Sequence, residues 1–160
     1  MVVVQDLKNV PLFRDADEGI LEEILPLIRL ETFQEGEVIY EENSVAENFY
    51  ILRAGKALLE ADLTPDISVS LASIKPGYVF GLYSLIPNSV HSMRAICSEE
   101  SDVLTIPGED LRKVLQDNHA FGYEFMSALF MLLKIRLDRR TSQFIRVLQR
   151  HPDLNIPLEE

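Results

Sequence analysis

The stretch Phe49-Tyr-Ile-Leu-Arg-Ala-Gly55 combines aromatic and aliphatic residues with a glycine turn, which is typical of a β-strand that ends abruptly. It belongs to a series of short runs between residues 30 and 106 that are rich in Val, Ile, Tyr and Phe and are separated by turn residues. These runs are residues 37–40, 48–52, 56–61, 68–74, 92–97 and 102–106. Because no crossover helices interrupt them, the pattern predicts a β-sandwich or barrel rather than a doubly wound parallel sheet.

Helical patterns flank this β region on both sides. Before it, Asp15-Ala-Asp-Glu18 has the spacing of a capping box and opens a short amphipathic helix, which Pro26 should end. After Pro107, residues 109–116 predict a short helix. A much longer helix then begins at residue 118 or 119 and continues to about residue 150.

The long predicted helix has two apolar faces. One face holds Phe121, Phe125, Leu129 and Leu132. The other is a heptad seam of residues at alternating steps of four and three: Met126, Phe130, Leu133, Leu137, Arg140, Phe144 and Val147. We expect the first face to pack on the β body and the seam to form a homodimer. The alternative is that both faces are buried within one protomer.

Composition and charge disfavour several classes of function. The 160 residues are 47% hydrophobic and 26% charged, which fits one globular domain. With 15 Lys and Arg against 26 Asp and Glu, the net charge of −11 disfavours nucleic-acid and membrane partners. The apolar stretches are far shorter than the ~20 residues of a membrane span, and the start lacks the pattern of a signal peptide. The single cysteine, Cys97, allows no internal disulfide, so we expect a cytoplasmic protein.

Four motifs in order resemble those of the cyclic-nucleotide-binding domain family, the sensor module of catabolite-activator-type regulators, kinases and gated channels. Residues 10–13 are similar to its opening phrase, residues 33–39 and 49–55 to its first turn-and-strand signatures, and residues 76–81 to the approach to its phosphate-binding cassette. The resemblance covers roughly residues 7–150.

The resemblance implies a mainly β fold with flanking helices. We therefore expect a β-roll, a jelly-roll-like double-stranded barrel with an N-terminal helix and a long C-terminal helix at about 119–150. The domain would span residues 1–150, and residues 151–160 would form an irregular tail.

The cassette departs from the pattern of the family members that bind nucleotide. Those members read approximately Phe-Gly-Glu-Leu-Ala and then Arg-(Ser or Thr)-Ala, with the glutamate on the ribose and the arginine on the phosphate. Here Leu82 replaces the glutamate, His91 the arginine and Met93 the small alanine. A hydrogen bond to a charged group contributes about 1.5–3 kcal/mol, so loss of the arginine alone would weaken binding roughly ten- to a hundredfold. We therefore expect binding of cAMP or cGMP to be weak or lost, and predict no certain cofactor.

The residues that could contact a ligand follow from the same comparison. They are Phe80, Gly81, Leu82, Tyr83, Ser84, His91, Ser92, Met93 and Arg136. His91 would either contact the ligand or pack within the cassette. Arg136, on the long helix, is the nearest match to the base-contacting region, and its alternative is a solvated basic face. If His91 faces inward, Arg94 faces outward, because alternate strand residues point to opposite sides.

Two functions remain open at this point. The first is a small-molecule-sensing regulatory module with a divergent cassette, and the alternative is an interaction protein that binds no ligand and uses the long helix. Catalysis is disfavoured because nucleotide-binding and hydrolase motifs are absent and His91, His119 and His151 form no metal-binding pattern. About ten residues follow Arg150, too few for a helix-turn-helix, so we expect no direct DNA binding.

Overall fold

Two antiparallel sheets of four strands each form the body of the domain in the computed structural model, which describes residues 2–151. The strands are β1 (Arg29–Phe33), β2 (Val38–Tyr40), β3 (Asn48–Ala54), β4 (Ala57–Thr64), β5 (Ile67–Ile74), β6 (Val79–Phe80), β7 (Arg94–Cys97) and β8 (Ser101–Pro107). The order is β1-β8-β3-β6 in the first sheet and β2-β7-β4-β5 in the second. The predicted β-roll is therefore confirmed.

Helices lie before and after the strands, as predicted. They are α1 (Val4–Lys8), α2 (Glu18–Ile24), α3 (Gly108–Asp117) and α4 (His119–Gln149), with short 3₁₀ helices at Leu25–Leu27 and Leu82–Leu85. The capping-box prediction is wrong, because α2 is capped at Asp17 and has no side-chain cap hydrogen bond. Asp15 lies two residues before that cap, in a turn where the Ala16 amide bonds to the Phe13 carbonyl.

Strand β3 separates two hydrophobic cores. Its residues alternate between the faces of the first sheet, as the β-strand period requires. Phe49 and Ile51 face a core shared with the helices, which also contains Phe13 and Phe125. Tyr50 and Leu52 face the interior of the roll, between the two sheets. The aromatic–aliphatic run of residues 49–52 is therefore buried on both faces.

Helix α4 contributes apolar residues to the helix-side core only through its first half. Phe121, Phe125 and Leu129 are buried in the helix-side core, and Leu132 packs at its edge. From residue 133 onward α4 continues for 17 residues, about 25 Å at the rise of an α-helix, and most of its side chains are exposed. Apart from His151, the predicted irregular tail at residues 151–160 lies outside the described residues.

Between residues 2 and 151, the structure contains no helix with the length and apolar character needed to cross a membrane.

Candidate ligand site

The cassette connects the two sheets, because it runs from β6 in the first sheet to β7 in the second. Gly81 begins it with φ +65° and is followed by the 3₁₀ helix Leu82–Leu85, which we call the cassette helix. A Cβ atom at Gly81 would lie 2.5 Å from Cδ2 of Tyr50 and 2.8 Å from the carbonyl oxygen of Asn48. Both the left-handed backbone and the close approach of β3 therefore require glycine here.

His91 lies inside the roll and is only 3% exposed. Its ring stacks on Tyr40 with the centroids 3.6 Å apart and the planes 12° from parallel. Burial lowers the pKa of His91, so the imidazole is mostly neutral at pH 7. The residue that replaces the family's arginine therefore brings a ring rather than a positive charge to the site.

Tyr40 is at the centre of a group of rings that we call the aromatic stack: Tyr40, Tyr50, Phe80 and His91. The Tyr40 ring lies 5.5 Å from that of Tyr50 and 6.2 Å from that of Phe80, and Tyr50 and Phe80 are 5.1 Å apart. Burial, followed by the neighbouring Tyr50, raises the pKa of Tyr40. The phenol is therefore neutral at physiological pH.

The Tyr40 hydroxyl lies near Gly81, the first residue of the cassette. The Gly81 backbone acts on this hydroxyl in the direction of a lower pKa, as a nearby N–H group does. The positive charge of Arg136 acts on Tyr40 in the same direction. A side chain of the protein itself thus lies close to the backbone at the start of the cassette.

Two arginines of α4 contact the two ends of the cassette. Arg136 donates from Nη2 to the carbonyl oxygen of Val79 at 2.6 Å, and burial lowers its pKa. Arg140 directs Nη2 to the sulfur of Met93 at 3.8 Å. Arg140 is therefore half-buried against the cassette, although it belongs to the heptad seam by sequence.

The structure divides the predicted ligand residues into two groups. Around the aromatic stack lie Phe80, Gly81, His91, Met93 and Arg136. The others, Leu82, Tyr83, Ser84 and Ser92, have different surroundings.

Leu82 packs against the helix-side core. The buried Ser84 hydroxyl donates to the Gly81 carbonyl at 2.8 Å, and Arg112 of α3 donates to the Ser84 carbonyl. The exposed Ser92 hydroxyl donates to the Tyr83 hydroxyl at 3.3 Å. Contact of any residue in either group with a ligand remains a prediction.

Arg94 faces away from the site, as expected if His91 faces inward. Its Nη2 lies 2.9 Å from Oε2 of Glu60 and 3.0 Å from the Ser68 hydroxyl, and its Nη1 lies 3.7 Å from Asp62. The hydrogen bond to Glu60 and the charge of Asp62 raise the pKa of Arg94. Arg94 therefore interacts with acidic side chains on the outer face of the second sheet.

Sequence analysis missed Tyr40 and Tyr50 as site residues. Strand alternation could have found Tyr50, because its neighbours Phe49 and Ile51 face the helix-side core. Tyr40 carried no such signal, since the pairing of β2 with β7 shifts register between Val38 and Tyr40. An irregularity of this kind changes which side chains point inward.

A cavity of about 240 Å³ lies outside the roll interior. It is bounded by the segment 9–12, the turn 76–79 and two residues of α4, Ala128 and Leu132. Within residues 2–151, no cluster of three or more His, Cys, Asp or Glu side chains is arranged to hold a metal ion.

Known proteins resemble this chain in sequence over the β-roll. The family model described as cyclic nucleotide-binding domain matches residues 30–118. A cyclic nucleotide-gated cation channel of Drosophila melanogaster is 32% identical over 85 residues, which cover 53% of this chain and 12% of the channel protein. The chain spans 12% to 21% of the length of the first curated relatives that it matches.

Solved structures resemble the chain over most of its length. A Geobacter metallireducens protein described as cyclic nucleotide-binding has a TM-score of 0.75 and 27% identity, covering 86% of this chain and 99% of its own. The Catabolite Activator Protein of Thermus thermophilus has a TM-score of 0.70 and 21% identity, covering 86% of this chain and 62% of its own, and shares the fold. The chain belongs to the cyclic nucleotide-binding domain family.

Proposed function

We propose that this regulatory module works without tightly bound cyclic nucleotide, because its own aromatic stack fills the space beneath the cassette. The observation that carries the proposal is the position of Tyr40. Its ring stacks on that of His91 with the centroids 3.6 Å apart, and it lies 5.5 Å from the ring of Tyr50. A nucleotide would have to displace this side chain before reaching the cassette.

The chemistry of the cassette supports the same proposal. Neutral His91 offers no charge to a phosphate, and Leu82 packs into the helix-side core instead of offering a carboxylate to a ribose. Arg94 is engaged by Glu60 and Asp62. The net charge of −11 adds long-range repulsion to an anionic ligand.

Calorimetric titration of the wild-type chain with cAMP and cGMP tests the proposal, and we expect no saturable binding at micromolar ligand. Two variants test which feature of the site prevents cyclic nucleotide binding. Leu82→Glu with His91→Arg restores the family's polar groups, and the same pair with Tyr40→Ala also removes the ring. We expect cAMP affinity to appear only in the triple variant. Micromolar or tighter binding by the wild-type chain would refute the proposal.

The relatives' descriptions support a non-enzymatic role, which is part of the proposal. They name gated channels, a nucleotide-binding protein and an activator. We also propose a cytoplasmic location, with which the buried free thiol of Cys97 is compatible.

A second proposed role is homodimerisation through α4. Six members of the heptad seam are apolar side chains that are 44% to 70% exposed in the single chain: Met126, Phe130, Leu133, Leu137, Phe144 and Val147. A contiguous apolar surface of this kind is typical of an interaction site. Continuation of α4 well beyond its contacts with the helix-side core leaves the seam free to meet a second helix.

Multi-angle light scattering of two matched variants tests this role. Phe144 and Ile135 are both exposed apolar residues of α4, but they lie nine residues apart and so on opposite sides of the helix. We expect Phe144→Glu to reduce the mass of a dimer to that of one chain and Ile135→Glu to leave it unchanged. A monomeric wild-type protein, or an equal effect of both variants, would exclude the seam as the interface.

A further inference from the structure

We propose that the cavity between the segment 9–12, the turn 76–79 and α4 binds a small carboxylic acid with an apolar body. The cavity lies outside the roll, so this inference goes beyond the proposed function above and does not depend on it. It is carried by the juxtaposition of apolar walls and the guanidinium group of Arg136, which has no acidic partner among residues 2–151.

The walls of this cavity belong to the helix-side core. Val10, Leu12 and Val79 are buried in that core, and Ala128 and Leu132 of α4 pack at its edge. These side chains are a different set from those that surround the aromatic stack. A ligand held here therefore lies on the opposite face of the first sheet from the space beneath the cassette.

The size and polarity of the cavity define the body of the ligand. An apolar cavity of about 150 Å³ stays dry and accepts benzene, because a buried water needs two or more polar partners. The cavity here has a volume of about 240 Å³. Every buried side-chain nitrogen and oxygen of the described residues already has a hydrogen-bond partner. The space therefore suits a benzene ring with a short aliphatic chain.

Arg136 brings a positive charge to the α4 side of the cavity. Ala128, Leu132 and Arg136 follow one another at steps of four and are all half-buried, so they share one face of the helix. The Nη2 atom of Arg136 donates to the carbonyl oxygen of Val79 at 2.6 Å. The guanidinium group thus lies beside a residue of the cavity wall.

This charge lacks a counter-charge within the described part of the chain. The only acidic residue between positions 134 and 150 is Asp138, which pairs with Lys134 at 2.6 Å, whereas six residues of that stretch are basic. A guanidinium group has five N–H donors and pairs with a carboxylate through two parallel hydrogen bonds. An anionic group at this point would therefore gain a partner that the chain itself does not supply.

The two features together define the class of ligand. A hydrocarbon would fill the apolar walls but leave Arg136 without a counter-charge, and a cation would be repelled by the basic stretch of α4. A molecule with an apolar body and one carboxylate satisfies both ends. Because it would touch the segment 9–12, the turn 76–79 and α4 at once, it would also stabilise the packing of the helix on the body.

Three probes that share one apolar body test the ligand class. They are 3-phenylpropanoate, the neutral 3-phenylpropan-1-ol and the cationic 3-phenylpropylamine, each titrated into the wild-type chain while the amides of Leu12, Gly77 and Leu132 are followed by NMR. We expect the carboxylate to give saturable shifts at roughly 1 mM or below, a modest affinity for a ligand of this size. The alcohol should bind roughly tenfold more weakly, since one charge-assisted hydrogen bond at a partly exposed group is lost, and the amine more weakly still.

Two adjacent residues of α4 provide a variant and its matched control. Ala128→Phe places a ring in the cavity and should abolish the shifts, whereas Ser127→Phe places the same ring on an exposed neighbour and should preserve them. Arg136→Gln should weaken the carboxylate to the affinity of the alcohol and leave the alcohol unchanged. An equal loss for both probes would mean that Arg136 supports the wall without binding the carboxylate, which contradicts the proposal.

The wild-type titration decides the matter even if Ala128→Phe does not fold. Absence of a saturable shift with 3-phenylpropanoate, or equal affinity for the carboxylate and the alcohol, would overturn the proposal. Shifts confined to the amides of Gly81 and His91 would place the probe inside the roll and overturn it as well. The cAMP titration described above tests the proposed function separately, so the failure of one idea leaves the other standing.

Discussion

Gly81 links the start of the cassette to strand β3 at the scale of one residue. Its positive φ and its contact with Tyr50 each oppose a side chain, whereas Gly36 has φ +82° with open space around it. We expect Gly36→Ala to cost about 1 kcal/mol for the left-handed backbone alone. Gly81→Ala should lose a further 1–3 kcal/mol or so from overpacking.

Urea unfolding of the two glycine variants measures this difference directly. Equal losses in the free energy of unfolding would mean that β3 moves away from residue 81 at no cost in stability. The comparison also controls for the conformational entropy of the unfolded chain, since both variants replace glycine with alanine.

His91 should give the stability of the domain a pH dependence. Burial lowers its native pKa, so the unfolded chain binds more protons in the window between the native value and about 6.5. The contribution of neutral His91 to the free energy of unfolding is therefore fully present above about pH 6.5. It is lost as the pH falls through the lowered native pKa.

Thermal unfolding of the wild-type chain and of His91→Gln across this window tests the prediction. We expect the difference in Tm between the two proteins to shrink as the pH falls. A difference that stays constant with pH would show that His91 does not titrate on unfolding in this range.

At the scale of elements, Arg136 determines how α4 is held over the cassette. Its hydrogen bond to the Val79 carbonyl is made beyond the last buried apolar residue of the helix. We expect Arg136→Leu to cost about 1 kcal/mol, because a charge-assisted hydrogen bond is exchanged for a partly buried apolar group.

Hydrogen exchange locates the effect of Arg136→Leu. The amides of α4 from residue 137 onward and those of β6 should exchange faster than in the wild-type chain. Arg139→Leu is the matched control, because Arg139 is exposed on the same helix. Identical exchange in the two variants would mean that α4 does not depend on this contact.

The elements differ in how readily the sequence predicts them. In the longer strands and in α4 the apolar residues recur at a regular spacing over many positions, so the local pattern was sufficient to predict these elements. β1, β6 and α1 were not predicted. β6 has two residues and α1 has five, too few for a period to emerge. Four of the five residues of β1 are exposed, which weakens any alternation of apolar and polar residues.

At the scale of the whole molecule, the second half of α4 should be separable from the folded body. Beyond Leu133 the half-buried residues of α4 are Arg136, Arg140 and Leu148. We expect a chain truncated after Leu133 to remain folded by circular dichroism with a modestly lower Tm, and to be monomeric by light scattering. An unfolded product would show that the distal helix is part of the cooperative unit, and a dimeric one would show that the seam residues beyond Leu133 are not needed for the dimer.

The site was harder to predict than the fold for a physical reason. Turn glycines and strand periodicity are local properties, so the series of short strands and turns between residues 30 and 106 was enough to predict the roll. The direction of Tyr40 depends on the register shift in β2, and the burial of Leu82 depends on helices more than twenty residues away. Such long-range packing leaves no periodic pattern in the sequence, and the resemblance to the family indicated only that the residues of the cassette depart from the family's pattern.

Cys97 offers a direct readout of the roll. It is the single cysteine of the sequence, lies on β7 with 1% of its surface exposed, and has a pKa raised by burial. A thiol reagent can modify it only when β7 separates from its neighbours or the whole chain unfolds. The rate of labelling therefore measures how often the second sheet opens. A small molecule that stabilises the interior of the roll should slow that rate.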